Sequence, residues 1–404
     1  MNNYNFDKLE DRTNTMSAKW DQREAIFGTQ NLIPMWVADS DWQTAPAVKN
    51  ELISRAEEGI FGYSFATAEI TNSIQEWLKK RFDLTVASDW LQYDTGVVPA
   101  INFTLKAITE AGDGVIIQPP VYRPFFESVK NNDCLLVENT LVEEDGYYQM
   151  DFAGLEEIIA NWQEKPGSLK AFILCSPHNP VGRVWKRDEL IRLIKILQRE
   201  KIYLLTDEIH ADLIYRGYQH YPILKLLAEE KNLKDYQNQV VAFMAASKTF
   251  NIAGLHTSYT IIADPKLRHK YQAAKAGFAT GNSPFGLLAL QAAYQNGEEW
   301  LEAQLDYLTA NYQFCRDFIK QEIPGLKLSR AEGTYLAWLD FRQLSFESDQ
   351  ELSKFIAKEA GLGMNQGNWF GRAGSMFMRL NLACPRQRIK TALKQLKKAL
   401  SELN

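Results

Sequence analysis

The sequence is poor in cysteine. It has four in 404 residues (Cys134, Cys175, Cys315 and Cys384), with no CxxC pair and no histidine at ligand spacing. A disulfide scaffold and a zinc knuckle are excluded, and no metal site is expected. No run approaches the ~18 apolar residues of a membrane span. The opening stretch MNNYNFDKLEDRTNT carries acids and lacks the apolar core of a leader. With unpaired thiols, the cytoplasm is the expected address. Positive charge is not in excess either: 45 Lys plus Arg against 50 Asp plus Glu leave −5. That sign is wrong for a phosphate-backbone binder, so neither nucleic acid nor membrane is an expected partner. Walker and GxGxxG signatures, internal repeats and low-complexity tracts are all missing.

What is present is material for a large core. Hydrophobic residues make up 46% and aromatics 12%, too much apolar surface for a disordered chain. At roughly 150 residues per domain, the length suggests two domains. Apolar runs recur at 115–117, 135–137, 171–174, 202–205, 240–243 and 259–262. They are continuous rather than alternating, as in strands buried on both faces. Leu190, Leu193, Ile194 and Leu197 share one helix face between two of these runs. The pattern predicts an α/β fold with a mostly parallel sheet.

After about Pro284 the texture changes to long amphipathic helices, with one strand signal at 335–339 and a last helix striped by Ile389, Leu393, Leu396 and Leu400. We therefore expect a large domain over 48–285 and a smaller α+β domain over 286–404. Residues 1–47 should join the smaller one across the Pro34 and Pro46 neighbourhood.

Several polar residues stand where strands should end. Asp207, in IYLLTDEIH, follows a buried strand and could hold a proton on a ring nitrogen or simply cap a helix. Lys248 leaves another such strand in a polar setting with Ser247, Thr249 and Asn251. It is either an amine freed for imine chemistry or an ordinary surface lysine. Asp94-Thr95-Gly96-Val97 precedes a helical pattern whose free N–H groups could receive a phosphate, as any helix opening could. Tyr122 could stack on a planar ring or belong to the core. Asn179, between two prolines, could offer its amide to a ring hydroxyl or serve as a turn residue. Arg379, the lone charge in FMRLN, implies a buried salt bridge or an α-carboxylate ligand.

Taken in order, Tyr122, Asn179-Pro180, Thr206-Asp207-Glu208 and Ser247-Lys248 resemble the fold-type I pyridoxal-phosphate enzymes, the aspartate aminotransferase superfamily. The resemblance implies a large α/β domain with a smaller α+β domain, and pyridoxal 5'-phosphate as cofactor. It further implies that Lys248 carries the cofactor and that Asp207 pairs with the ring nitrogen. Asn179 would donate to the ring oxygen, Tyr122 would stack on the ring, and Gly96, Val97 and Val98 would hold the phosphate. Arg379, with Asn179, Ala38 and Tyr122, would bind the substrate.

Three positions depart from the aminotransferase pattern: His210 replaces the usual Tyr, His256 the usual Arg, and Ala245 a common hydroxyl residue. Ser247, and Tyr63 of a neighbouring subunit, would then do more of the phosphate holding. The strings MWVADSDW (35–42), FGYSF (61–65), TDEIHADL (206–213), SKTFNIAGL (247–255) and MRLNLACPR (378–386) are similar to the cystathionine β-lyase branch, in which His210 is at home. That branch implies a homodimer with Tyr63 reaching across. It also implies α,β-elimination of cystathionine, cysteine or cysteine S-conjugates to a thiol, pyruvate and ammonia. An aminotransferase, or a regulatory binding protein that keeps the pocket, are the alternatives.

Overall fold

The computed structural model describes residues 4–162, 165, 167–278 and 281–403. Its main sheet has seven strands: β1 (Leu91–Asp94), β2 (Gly114–Ile117), β3 (Leu135–Glu138), β4 (Leu169–Cys175), β5 (Tyr203–Asp207), β6 (Val240–Met244) and β7 (Ser258–Ile262). Their spatial order is β1-β7-β6-β5-β4-β2-β3. From β6 to β3 every neighbouring pair is parallel, whereas β7 runs against both β6 and β1. The architecture is α/β with a mostly parallel sheet, and all six apolar runs lie in it but for Ile202, which immediately precedes β5.

Their unbroken apolar character has a simple cause. Side chains alternate across a strand, and here both faces are covered. Ile116, Phe172, Leu174, Leu204 and Ala242 enter one core cluster, while Val115, Ile117, Ile173, Leu205 and Val241 enter another. The second is covered by α2 (Val97–Ile108) through Ala100, Ile101 and Leu105. The first is covered by α3 (Arg187–Arg199) through Leu190, Leu193, Ile194 and Leu197. Each Val, Leu, Ile or Phe side chain so removed from water contributes about 1.5–3 kcal/mol, and the alanines less. Strand β1 escaped the sequence reading because it is an edge strand: only its terminal residues, Leu91 and Asp94, are buried, and Gln92 and Tyr93 break the apolar run.

A second sheet is antiparallel, with β8 (Lys327–Leu328), β9 (Leu336–Asp340), β10 (Asn365–Gln366) and β11 (Phe377–Asn381) in the order β8-β9-β11-β10. The N-terminal segment is tied to this part of the chain. Ile33–Pro34 pairs in parallel with Leu362–Gly363, and Asn381 donates from its side-chain amide to the carbonyls of Val37 and Asp39. The position 285/286 falls inside α4 (Pro284–Asn296), whose Tyr294 stacks on Trp77 of α1 (Ala68–Phe82) at 4.9 Å. The long α5 (Glu298–Glu322) follows, and α6 (Arg386–Ser401) buries the expected Ile389, Leu393, Leu396 and Leu400 stripe. No helix among the described residues is long and apolar enough to cross a membrane.

Candidate active site

Strands β4 and β5 end side by side, with Cys175 opposite Asp207, and β5 pairs with β6, which leads into Ser247 and Lys248. Carboxyl ends of parallel strands form a crevice. In this protein it is a cavity of about 460 Å³ that draws its walls from distant parts of the chain. Ala38, Gly96, Val97, Val98, Tyr122, Asn179, Asp207, His210, Ser247 and Lys248 all line it, together with Thr95, Ile209, His256, Thr257 and Ser258. Of the residues singled out in the sequence, Arg379 stands behind Asn179, and Tyr63 lies elsewhere, fully exposed on the surface.

Asp207 caps no helix. A turn follows it, and its Oδ1 accepts from the Ile209 amide at 3.1 Å, while Oδ2 has no hydrogen-bond partner among the described residues. Burial raises its pKa to about 7, against the lowering pull of the Ile209 N–H and of Lys248. A buried carboxylate with an unused oxygen suits a cationic N–H donor.

Lys248 is not a surface lysine. Burial lowers its pKa, as does the charge of Arg379, while Asp39 and Asp207 oppose the shift. Its Nζ donates to the carbonyl of Ala38 at 2.9 Å, which Tyr335 Oη also contacts at 2.9 Å. The 36–42 segment is held in place by Asn251, in the left-handed region at φ 57°, whose side chain donates to the carbonyls of Ser40 and Trp42 and accepts from the Ser40 amide. Within that segment, Asp41 is buried among Lys19, Arg388 and Arg12. Desolvation alone would raise its pKa, but the three cations outweigh it and hold it at about 2.

Arg379 projects from the middle of β11, buried, and burial pushes its pKa down to about 10. Its Nη1 donates to Asn179 Oδ1 at 3.0 Å, and its Nη2 to the Trp36 carbonyl at 2.8 Å and to Asn365 Oδ1 at 2.7 Å. The guanidinium also lies over Phe370, 4.9 Å from the ring centre, and its Nε has no hydrogen-bond partner among the described residues. No carboxylate among the described residues comes within ion-pair distance, so the salt-bridge alternative is not realised. A buried cation without a counter-charge is costly, and an anionic ligand is its natural complement. The bond to Arg379 also orients the Asn179 amide, leaving Nδ2 without a hydrogen-bond partner among the described residues.

The opening of α2 is uncapped by any side chain, so the first N–H groups of a 12-residue helix face the cavity at Gly96, Val97 and Val98. His256, in the left-handed region at φ 49°, lies at this end with Thr257 and Ser258, since Ser258 pairs with Asp94. His210 is buried, and its Nδ1 has no hydrogen-bond partner among the described residues. Burial, then the charges of Lys248 and Arg379, lower its pKa to about 3, so its ring is neutral. Tyr122 lines the wall with its phenol pKa raised by burial. Sequence reasoning missed Tyr335, Asn365 and the Trp36 carbonyl. Tyr335 and Asn365 sit in runs that read as core strand and loop, and a backbone carbonyl has no sequence signature.

The family model for aminotransferase class I and II matches residues 37–396. The chain is 36% identical over 398 residues to cystathionine beta-lyase PatB of Bacillus subtilis, covering 98% of this chain and 100% of that protein. The solved structure of cystalysin from Treponema denticola, which contains a pyridoxal 5'-phosphate cofactor, superposes with a TM-score of 0.93 at 35% identity, covering 99% of this chain and 100% of that one. The PLP-bound C-S lyase of Staphylococcus hominis gives a TM-score of 0.88 at 32% identity, with 98% of both chains covered. Since its model spans most of the sequence, and the Lys248 and Asp207 strand ends meet in one crevice, the chain belongs to the aminotransferase class I and II family.

Proposed function

We propose that the protein is a pyridoxal-phosphate-dependent carbon–sulfur β-lyase. The reading is carried by one juxtaposition: an amine (Lys248) and a buried acid (Asp207) share a cavity whose wall residue Asn179 is hydrogen-bonded to a guanidinium, Arg379, that has no counter-ion among the described residues. The residues fit the cofactor. Asp207 offers an unused oxygen to the ring nitrogen, Asn179 Nδ2 is free for the ring oxygen, Tyr122 can cover a ring face, and the α2 N–H groups, with Ser247, suit a phosphate. When bound, the cofactor supplies an electron sink for the pair left by a broken Cα–H bond.

The rest is the work of the chain. Arg379 binds the substrate α-carboxylate and so fixes which bond faces Lys248. Lys248, whose pKa burial lowers, takes the Cα proton. Asp207 holds the proton on the ring nitrogen, and the Ala38 carbonyl steadies the free amine. The thiolate at Cβ leaves, and water completes the balance: cystathionine plus water gives homocysteine, pyruvate and ammonia, and cysteine gives hydrogen sulfide in place of homocysteine.

Two further readings accompany this one. A homodimer, with Tyr63 entering the second subunit's site, is supported by the exposure of Ile60, Phe61, Tyr63 and Phe65 (75%, 58%, 107% and 79%), an apolar patch of the kind that marks interfaces. A cytoplasmic location is supported by four buried, unpaired cysteines.

The test is incubation of the holoenzyme with cystathionine, cysteine and S-methylcysteine while pyruvate and ammonia are followed. Release of both supports the lyase. Consumption of a 2-oxo acid without pyruvate would show an aminotransferase instead.

A further inference from the structure

Strands β2 and β4 are neighbours in the main sheet, so the loops that leave their carboxyl ends run side by side, one carrying Tyr122 and the other Asn179. Ladder pairing between the two strands ends at Ile116 and Phe172. Past that point one hydrogen bond joins loop 119–123 to loop 176–183 among the described residues: His178 Nε2 to the carbonyl of Pro120, at 2.9 Å. His178 directly precedes Asn179, and Pro120 lies two positions before Tyr122.

The imidazole is fully buried and stands outside the cavity lining. Burial lowers its pKa to about 4, which leaves a neutral ring with one donor and one acceptor. A carbonyl can only accept, so the proton sits on Nε2. Nδ1 has no hydrogen-bond partner among the described residues. A side chain kept only for packing would not carry a bare polar atom into the core, where such an atom is costly, so the use of this residue lies at Nε2. The rest of His178 is held firmly. Its backbone closes a turn with Gly182 and Arg183, and the Trp185 ring meets the imidazole edge-on at 5.5 Å. Next to it, the Asn179 amide donates to Cys175 Sγ at 3.3 Å and its Oδ1 accepts from Arg379.

We infer that His178 is a positioning residue: it sets the spacing between Tyr122 and Asn179, and with it the slot in which a cofactor ring is stacked on one face and hydrogen-bonded at its oxygen. The inference rests on the roles given to Tyr122 and Asn179 in the lyase reading, and adds the residue that holds the two in register.

The experiment follows the visible absorbance of the bound cofactor as a function of pH, and Kd for pyridoxal 5'-phosphate, in wild type, His178→Leu, His178→Gln and Asn179→Ala. Donation to the ring oxygen favours its anionic form and so lowers the pH at which the absorbance changes. In His178→Leu that pH should rise by roughly one unit and Kd by roughly tenfold, about the worth of one positioned hydrogen bond. His178→Gln, whose amide nitrogen can stand where Nε2 stands, should recover most of both. A wild-type titration and Kd in His178→Leu, or no recovery in His178→Gln, would overturn the inference. If His178→Leu does not fold, His178→Asn, whose amide falls short of Pro120, takes its place with the same two outcomes. Asn179→Ala tells the two readings apart. Should it titrate as wild type, Asn179 does not serve the ring oxygen and the inference falls with that assignment; should it shift while His178→Leu does not, the assignment stands and the inference alone fails.

Discussion

Lys248 Nζ donates a hydrogen bond to the carbonyl oxygen of Ala38, 210 positions earlier in the chain, at 2.9 Å. The bond gives the amine a resting place inside the cavity and couples it to the 36–42 segment, whose Trp36 carbonyl also holds Arg379. One stretch of backbone therefore touches the proposed base and the proposed carboxylate clamp. Asn251 fastens that stretch to the Lys248 loop.

Asn251→Ala removes three hydrogen bonds and places alanine in the left-handed region. We expect a loss of about 1–3 kcal/mol in stability, seen as a lower Tm, and a drop in kcat from the loosened Ala38 carbonyl. An unchanged kcat would show that the anchor is structural only.

Lys248→Ala should abolish covalent attachment. After borohydride treatment the wild type should retain the cofactor's mass and the variant should not, with activity lower by at least about 10³-fold. Retention of the label by the variant would place the attachment elsewhere.

Arg379→Ala should raise KM by roughly two orders of magnitude while leaving the cofactor bound, and Arg379→Lys should recover part of the loss, because an ammonium keeps the charge but not the planar fork. A KM equal to wild type would remove Arg379 from substrate binding.

Asp207 has a pH signature in the cofactor-free protein. Its folded pKa, about 7, lies above the ordinary value of 3.8, so the acid is more easily kept in its protonated form when folded. The stability it contributes is full below about pH 4 and is lost as pH rises through 7, on the order of a few kcal/mol. Tm measured between pH 5 and pH 8 should therefore fall more steeply in the wild type than in Asp207→Asn. Parallel curves would contradict the assignment.

Tyr63→Ala mixed with Lys248→Ala should regain activity that neither variant has alone. In a hybrid dimer one site combines a native Lys248 with a native Tyr63 supplied across the interface. If mixing restores nothing, Tyr63 does not serve the second subunit.

Much of this molecule was legible before folding. Continuous apolar runs announced buried strands because both faces of the sheet are covered, and the Ile389, Leu393, Leu396 and Leu400 stripe announced α6 because helical periodicity records which side is buried. Lys248 and Asp207 stood out because each ends such a run, where polarity has no packing purpose. Other features were decided only in three dimensions. The half-buried β1, the reversal of β7 and the absence of an acid beside Arg379 among the described residues all depend on which distant segments become neighbours. So does the meeting of Ala38 with Lys248. Local pattern encodes what must leave water, but the partner of a buried charge is set by how the sheets and their crossings close, and no stretch of sequence carries that information alone.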